Sequence, residues 1–234
     1  MTAPLRPAEL SGGAERRHFG LDGSLQVVAA LVVINVAVFL VSLATAGSLT
    51  NTTGSSLVTD GGLFGPAVES GQWWRIYTSG FEHASWGHLV SNLIALIGLG
   101  LLLGNAIGPV RLLLVYVASL VGGSLLALIF SGDALTVGAS GAIFGLAGAA
   151  VVVAWEQRRW ALLILAGGWA AANLVFTVTT PGVSVAGHLG GLLAGGLLGR
   201  WFVAGPDRLR ADAASVVIGL ATVAALTALA VVLA

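Results

Sequence analysis

A serine, two histidines and an asparagine stand at the beginnings of three separate apolar stretches in this chain of 234 residues. Ser140 lies in a Gly-Ala-Ser-Gly sequence, and His188 follows a glycine at the start of a later stretch. A serine becomes a nucleophile when a neighbouring imidazole removes its proton. His88 and Asn92 are four residues apart, so they share one helical face and are candidate donors to an oxyanion. These residue types indicate acyl-transfer chemistry.

Each of these residues also has a purely structural explanation. A serine in a membrane helix commonly bonds to its own backbone, and an amide in lipid can hold two helices together. A histidine such as His188 can be a hydrogen-bonded interior residue. Ionisable groups inside a membrane nevertheless favour a functional explanation. The deciding question is whether the elements bring all four side chains to one depth.

The composition is that of a membrane protein. Hydrophobic residues make up 57% of the chain and charged residues 9%, whereas soluble domains are about 25% charged. The absence of cysteine excludes a disulfide-stabilised scaffold, and ten basic against ten acidic residues with no basic stripe exclude a nucleic-acid-binding protein. No apolar stretch alternates with period two, which argues against a barrel. We therefore expect an all-α polytopic membrane protein.

Seven apolar stretches approach the roughly 20 residues that a transmembrane helix needs. They lie near 25–46, 88–103, 110–130, 135–155, 160–178, 184–203 and 213–234. The first is longer than the roughly 7–15 residues of a signal-peptide core, so we expect a retained helix. The resulting organisation is a cytoplasmic N-terminal tail over 1–24, a six-helix core over 25–203 that includes an outer loop over 47–87, a cytoplasmic linker over 204–212 and a seventh transmembrane helix over 213–234.

The arginines orient these helices. Nine of the ten fall before the first stretch or in alternate loops: Arg6, Arg16, Arg17, Arg111, Arg158, Arg159, Arg200, Arg208 and Arg210. Because short cytoplasmic loops are enriched in basic residues, we expect a plasma-membrane protein with a cytoplasmic N-terminus and an outer C-terminus. The second, fourth and sixth helices then run inward. The polar residues at their outer ends are His88, Asn92, Ser140 and His188. Because a helix rises about 1.5 Å per residue, we expect these side chains roughly 6–8 Å below the outer surface.

Small residues recur on two of these helices. Every fourth residue of the sixth helix is glycine, and the fourth helix has a similar face: Gly187, Gly191, Gly195 and Gly199 on the one, and Gly141, Gly145 and Ala149 on the other. Such faces let two helices pack with their backbones almost in contact. This pairing would bring Ser140 and His188 together.

Acidic residues are absent from the middle of every apolar stretch. Proton-coupled transporters usually keep an acid within the membrane, so the pattern disfavours a transporter. It also favours a Ser-His dyad over a triad, because no carboxylate is placed to orient His188. Asp133, in the outer loop before the fourth helix, is the only acid expected near Ser140, and we do not expect it to take part.

The ordered motifs resemble the rhomboid family of intramembrane serine proteases. The family's HxxxxHxxxN element is matched by His83, His88 and Asn92, its GxSG element by Gly138, Ser140 and Gly141, and its histidine-glycine element by His188, Gly191 and Gly195. The segment Gly71-Gln72-Trp73-Trp74-Arg75 is similar to its Trp-Arg loop. The resemblance covers about residues 70–200 and implies a six-helix rhomboid-like bundle, here with one additional C-terminal transmembrane helix.

The resemblance implies a role for each matching residue. Ser140 would be the nucleophile and His188 the general base, while Asn92, His88 and the Ser140 backbone N–H would hold the oxyanion. Structural support would come from His83, Trp74, Arg75, Gly138, Gly141, Phe144, Gly191 and Gly195. Two positions depart from the family pattern: Phe144 stands where tyrosine is common, and Gly104 where many members carry a glutamate.

The sequence thus predicts an intramembrane serine endopeptidase that cleaves transmembrane segments of membrane proteins near the outer leaflet. The expected partners are such substrates and the lipid bilayer, with no nucleic acid, no cofactor and no metal, and no oligomeric state is indicated. The alternatives are a non-catalytic polytopic membrane scaffold and a transporter.

Overall fold

The computed structural model describes residues 15–52, 54–203 and 208–233, and ten α-helices account for most of them. The helices are α1 (Glu15–Ala46), α2 (Gly54–Asp60), α3 (Gly65–Glu69), α4 (Arg75–Thr78), α5 (Trp86–Ile107), α6 (Pro109–Ser131), α7 (Ser140–Glu156), α8 (Trp160–Thr179), α9 (Val185–Val203) and α10 (Arg208–Leu233). In these ranges extended backbone pairs only as isolated bridges. The predicted all-α fold is confirmed.

Five of the described helices are long and apolar enough to cross a membrane, namely α1, α5, α6, α8 and α10. Helix α7 is apolar but has 17 residues, and α9 carries glycines, His188 and Arg200, which lower its mean hydropathy. Helix α7 packs inside the bundle with most of its residues buried, and α9 packs against α6 and α7 while Leu193 and Leu197 on its other face are exposed. The protein is a multi-pass membrane protein whose six-helix bundle, α1 and α5 to α9, is extended by α10.

The fourth apolar stretch becomes a helix later than its sequence suggests. We expected it to begin near residue 135, but α7 begins at Ser140. The preceding residues form an extended segment in which Thr136 and Leu63 exchange two backbone hydrogen bonds of 2.9 Å. Gly138 then donates to the Ser79 carbonyl oxygen at 2.9 Å. Pairing with a distant part of the chain therefore overrides the local apolar pattern.

The long loop between α1 and α5 is a folded layer at one end of the bundle. Arg75, only 4% exposed, donates to the Gly62 carbonyl oxygen at 2.8 Å and twice to Gln72 Oε1. Ser124 on α6 donates to the Ile76 carbonyl oxygen at 2.9 Å. These buried bonds fix the layer to the bundle, because a buried polar group left without a partner is costly.

Parts of the predicted N-terminal tail and of the predicted linker lie outside the described residues. Residues 1–14 of the tail and 204–207 of the linker are not described. Helix α1 begins at Glu15 and α10 at Arg208.

Two hydrogen bonds between side chains join α10 to the rest of the protein. The hydroxyls of Tyr77 and Thr227 lie 2.5 Å apart, and Arg111 Nε donates to Ser215 Oγ at 3.2 Å. Helix α10 is therefore attached to the bundle near both of its ends.

Glycines set the spacing between the central helices. A Cβ atom at Gly191 would overlap the Gly141 carbonyl oxygen, and one at Gly195 would overlap that of Gly145. On its other side, α9 lies equally close to α6, where a Cβ at Gly190 would overlap the carbonyl oxygen of Gly122. Helix α9 is therefore held between two backbones: the small-residue pattern predicts its contact with α7, and the contact with α6 is an additional finding.

A pair of neighbouring glycines on α9 tests this spacing. In Gly195→Ala the new Cβ meets backbone atoms of α7, which cannot rotate away, so we expect a loss of about 1–3 kcal/mol or more. In Gly196→Ala the nearest atom is at 3.9 Å, and the gain in helix propensity, about 1 kcal/mol, leaves stability equal or higher. Thermal unfolding of both variants in detergent measures the difference. Equal unfolding temperatures would contradict the backbone contact.

Candidate active site

Ser140 and His188 meet at the starts of α7 and α9. The Nε2 atom of His188 lies 2.8 Å from Ser140 Oγ. His188 is 7% exposed, and both side chains face a cavity of about 700 Å³ between α5, α7, α8 and α9. The close packing of α7 on α9 places the two side chains within one hydrogen bond of each other. This is the geometry in which an imidazole can take a serine proton.

Gly138, Gly141 and Ala142, which flank Ser140 in the sequence, line the same cavity. Ser140 is the first residue of α7, and the N–H groups of a first helical turn have no partner within the helix. They also carry the positive end of the helix dipole. Gly138, just before, has φ +116° and lies so near His88 that a Cβ would be 2.7 Å from the imidazole. Glycine is therefore required here by both backbone conformation and space.

His88 and Asn92 form the opposite wall of the cavity. Both belong to α5, where Ser85 Oγ accepts the backbone N–H of His88 at 3.2 Å and so caps the helix. Asn92, 7% exposed, donates from Nδ2 to the His88 carbonyl oxygen at 3.1 Å. An amide nitrogen has two hydrogens, so a second one remains for another acceptor. The structure brings all four residues of the opening hypothesis to one cavity.

The imidazole of His188 is held on three sides. Its Nε2 faces Ser140, and the Phe144 ring stacks on it with centroids 4.2 Å apart and planes 20° apart. Trp169 of α8 packs behind Phe144 at 5.3 Å. At the other ring nitrogen, Nδ1, Thr177 Oγ1 lies at 2.7 Å. An aromatic face also stabilises the imidazolium that forms when His188 takes a proton.

Thr177 was missed from the sequence, although a signal was present. The buried residues of α8 are Leu162, Ala166, Ala170 and Thr177, whose spacing of four, four and seven marks one helical face. Thr177 is the polar member of that face and stands at the end where α9 begins. Following the buried face to its end would have identified it.

Five predicted support residues lie outside the cavity lining: Gly191 and Gly195 in the contact with α7 described above, and His83, Trp74 and Arg75. His83 is fully buried, with Nδ1 3.1 Å from the Phe81 carbonyl oxygen, and its ring meets the His88 ring edge-on at 5.0 Å. Trp74 is 46% exposed and contacts Trp73. Arg75 fixes the loop layer described above. His83 thus backs a wall of the cavity, and Arg75 holds the layer next to it.

The cavity wall holds no net charge among the residues described. Its lining includes two histidines but no aspartate, glutamate, lysine or arginine. Nor do the described histidines, aspartates and glutamates form a group of three that could bind a metal ion. The groups available for chemistry are therefore hydroxyls, among them that of Ser140, together with two imidazoles, two amides and backbone N–H groups.

Comparison with known families decides the affiliation of the chain. A family model described as the Rhomboid domain matches residues 70–205, which is more than half of the chain and includes every candidate site residue. The chain belongs to the rhomboid family. Its membrane bundle, its helix-terminal Ser140 and its buried His188 are thus features of a rhomboid protein.

Several curated relatives are similar to this rhomboid protein. It is 37% identical to RHOMBOID-like protein 1 of Arabidopsis thaliana over 57% of this chain and 36% of that one. It is 34% identical to Rhomboid protease GluP of Bacillus subtilis over 64% and 29%, and 36% identical to Rhomboid-like protease 3 of Toxoplasma gondii over 58% and 54%. The match spans about a third of the length of the first two relatives and about half of the third.

Because His83 is buried, we expect the stability of this rhomboid protein to depend on pH. Burial, with a smaller contribution from His88, lowers the pKa of His83 from 6.5 to about 3. The unfolded chain therefore binds this proton more readily than the folded one. The contribution of His83 to stability is complete above pH 6.5 and is lost as the pH falls towards 3. We expect His83→Leu, which has no such proton, to lose less stability over that range than the wild type.

Unfolding temperatures of both proteins, measured in detergent from about pH 8 to about pH 4, test this expectation. The comparison of slopes cancels any constant loss caused by the substitution itself. Parallel curves would show that His83 does not titrate differently in the folded and unfolded states.

Proposed function

We propose that this rhomboid protein is an intramembrane serine endopeptidase that uses Ser140 as nucleophile and His188 as general base. The observation that carries the proposal is the 2.8 Å contact between Ser140 Oγ and His188 Nε2, located in a cavity between membrane helices. Two of the relatives, from B. subtilis and T. gondii, are named proteases, which supports the same reaction class.

The proposed reaction has two halves. In the first, His188 Nε2 takes the proton of Ser140 as Oγ bonds to the carbonyl carbon of the scissile peptide. The tetrahedral intermediate collapses when the imidazolium gives that proton to the leaving amine, which leaves an acyl group on Oγ. In the second, His188 takes a proton from a water molecule as the water oxygen bonds to the acyl carbon. The bond from that carbon to Oγ then breaks, the imidazolium returns the proton to Oγ, and the carboxylic acid product leaves. Atoms and charge balance without a cofactor.

The negative oxygen of the tetrahedral intermediate needs hydrogen-bond donors. The N–H groups at the start of α7 lie beside Ser140, and Asn92 and His88 face it across the cavity. Donors fixed in advance in a site that excludes bulk water are worth more than the same donors in water. We assign the Ser140 N–H, Asn92 Nδ2 and His88 to this role, with Phe144 supporting the charged imidazole.

The proposed substrate is a membrane-spanning segment of another protein. A stable helix hides its carbonyl groups in intrahelical hydrogen bonds, so the segment must unwind where it meets Ser140. The basic residues at the ends of α7 and α9 away from the dyad, Arg158, Arg159 and Arg200, support a cytoplasmic assignment for that end. The dyad would then act near the outer leaflet of the plasma membrane.

Two other functions compete with proteolysis. A scaffold that binds membrane segments would not need a serine hydroxyl aimed at Nε2. A proton-coupled transporter would need an ionisable acid in its pathway, and the described cavity lining has none. Neither alternative accounts for the Ser140–His188 contact.

Labelling with a fluorescent fluorophosphonate tests the nucleophile without knowledge of the substrate. We expect the wild-type chain, in detergent and in lipid vesicles, to be labelled, and Ser140→Ala and His188→Ala to remain unlabelled and to lose cleavage of a transmembrane reporter. Ser70→Ala, which removes an exposed hydroxyl that bonds only to the Ala67 carbonyl oxygen, should behave as wild type. A folded but unlabelled wild type would favour the scaffold.

The oxyanion assignment has a test of its own. Asn92→Ala removes one donor, and we expect kcat to fall about 10²–10³-fold with little change in KM, because the donor acts on charge that develops only in the transition state. The control is Asn105→Ala, which removes an exposed amide from the same helix. An unchanged kcat in Asn92→Ala would remove Asn92 from the proposed machinery.

A further inference from the structure

Thr177 places a buried hydroxyl against the nitrogen of His188 that Ser140 does not use. Its Oγ1 lies 2.7 Å from His188 Nδ1 and 2.7 Å from the carbonyl oxygen of Asn173, one turn earlier in α8. The residue is 2% exposed. The hydroxyl therefore has two partners in the protein interior, and each constrains where its single hydrogen points.

Only one arrangement of hydrogens makes both bonds at the same time. A carbonyl oxygen can only accept, so the Thr177 hydrogen points to Asn173. The Thr177 oxygen is then left to accept at His188, which requires the imidazole to carry its hydrogen on Nδ1. Neutral imidazole has one N–H, so Nε2 is left with a free lone pair directed at Ser140 Oγ. This is the tautomer in which His188 can receive the serine proton.

The reverse arrangement would disable the pair. If Nε2 carried the hydrogen, it would donate to Ser140 Oγ and could not take its proton. In serine proteases that have a third residue, a buried carboxylate prevents this outcome, and its loss reduces kcat about 10⁴-fold. The lining of the present cavity contains no carboxylate among the residues described. An uncharged chain of hydrogen bonds, from Ser140 through His188 and Thr177 to a backbone carbonyl, occupies the equivalent place.

We propose that Thr177 is a positioning residue that fixes His188 in the Nδ1–H tautomer and so keeps Nε2 ready to act as the base. The inference rests on the proposed function of the Ser140–His188 pair and adds a third member to it. Thr177 would act through His188 and not on the substrate. Its anchor is a backbone carbonyl group of its own helix, so it works without any ionisable partner.

The location of Thr177 on α8 supports a specific role over simple packing. The rest of the buried face of α8 is apolar, with Leu162, Ala166 and Ala170 against the bundle. A buried hydroxyl at the end of such a face costs free energy unless both of its bonding partners are supplied. Here both are present within hydrogen-bonding distance.

Three substitutions on α8 separate the tautomer effect from a change in packing. Thr177→Val keeps the branched shape but removes the hydroxyl, and we expect kcat for a reporter substrate, and the rate of phosphonate labelling, to fall about 10–100-fold with KM nearly unchanged. Thr177→Ser restores the hydroxyl and should recover most of the rate. Thr179→Val removes a hydroxyl that is exposed and bonds only to backbone carbonyl oxygens, and should leave the rate as in the wild type.

The tautomer itself is visible by ¹⁵N NMR of the chain labelled at histidine, with the His188 signals assigned from the spectrum of His188→Ala. At a pH where the ring is neutral, we expect the wild type to show a protonated Nδ1 and an unprotonated Nε2. In Thr177→Val the signals should move towards the opposite tautomer. A wild-type spectrum with hydrogen on Nε2 would overturn the proposal even if the valine variant failed to fold.

The outcomes distinguish this inference from the proposed function. A reactive wild type whose rate and spectrum are unaffected by Thr177→Val would overturn the role of Thr177 and leave the protease assignment intact. An unreactive wild type with the Nδ1–H tautomer, lost in Thr177→Val, would overturn the protease assignment and support the tautomer role. If Thr177→Val is labelled slowly and Thr177→Ser is labelled no faster, loss of the hydroxyl is not the cause of the slow labelling, and the role of Thr177 is overturned.

Discussion

The geometry of the candidate site depends on direct contact between the backbones of α7 and α9. Helices α7 and α9 approach until the carbonyl groups of one occupy the space that side chains of the other would need, and glycines at 141, 145, 191 and 195 make that approach possible. A side chain can change its rotamer to relieve a close contact, whereas the backbone of a helix cannot. The distance between the two helices is therefore better defined than it would be if side chains separated them. The hydrogen bond between Ser140 and His188 depends on this spacing. The surrounding helices and the loop layer complete the cavity around it.

Much of the bundle could be predicted from hydrophobic length, because a helix in lipid must satisfy its own backbone over the full membrane thickness. The start of α7 could not. Leu135 and Val137 continue the apolar run, but this part of the chain pairs with Leu63, and no local pattern records a partner more than 70 residues away. The threonine- and serine-rich part of the outer loop gives little sign of a helix in its composition, yet it contains α2, whose Leu57 is buried.

Some residues of the candidate site could likewise be predicted from the sequence, and one could not. Ser140, His188, His88 and Asn92 could be grouped from topology alone, since each stands at the same end of its helix. Phe144 was expected as structural support by resemblance, and it stacks on the His188 ring. Thr177 could not be recognised by residue type, because most threonines in helices bond back to their own backbone, as this one also does. Its second contact, to His188, depends on how α8 packs on its neighbours.

The absence of charged side chains from the described cavity lining determines how the protein can choose what it binds. A lining without formally charged side chains adds no long-range attraction of its own, unlike the lining of many charged clefts that steer their ligands electrostatically. Ionic strength, which screens interactions between exposed charges, then has little influence on recognition. Under the proposed function, selection among membrane segments would be left to short-range properties: the shape of side chains entering a space of about 700 Å³ and the ease with which a segment gives up its helical hydrogen bonds.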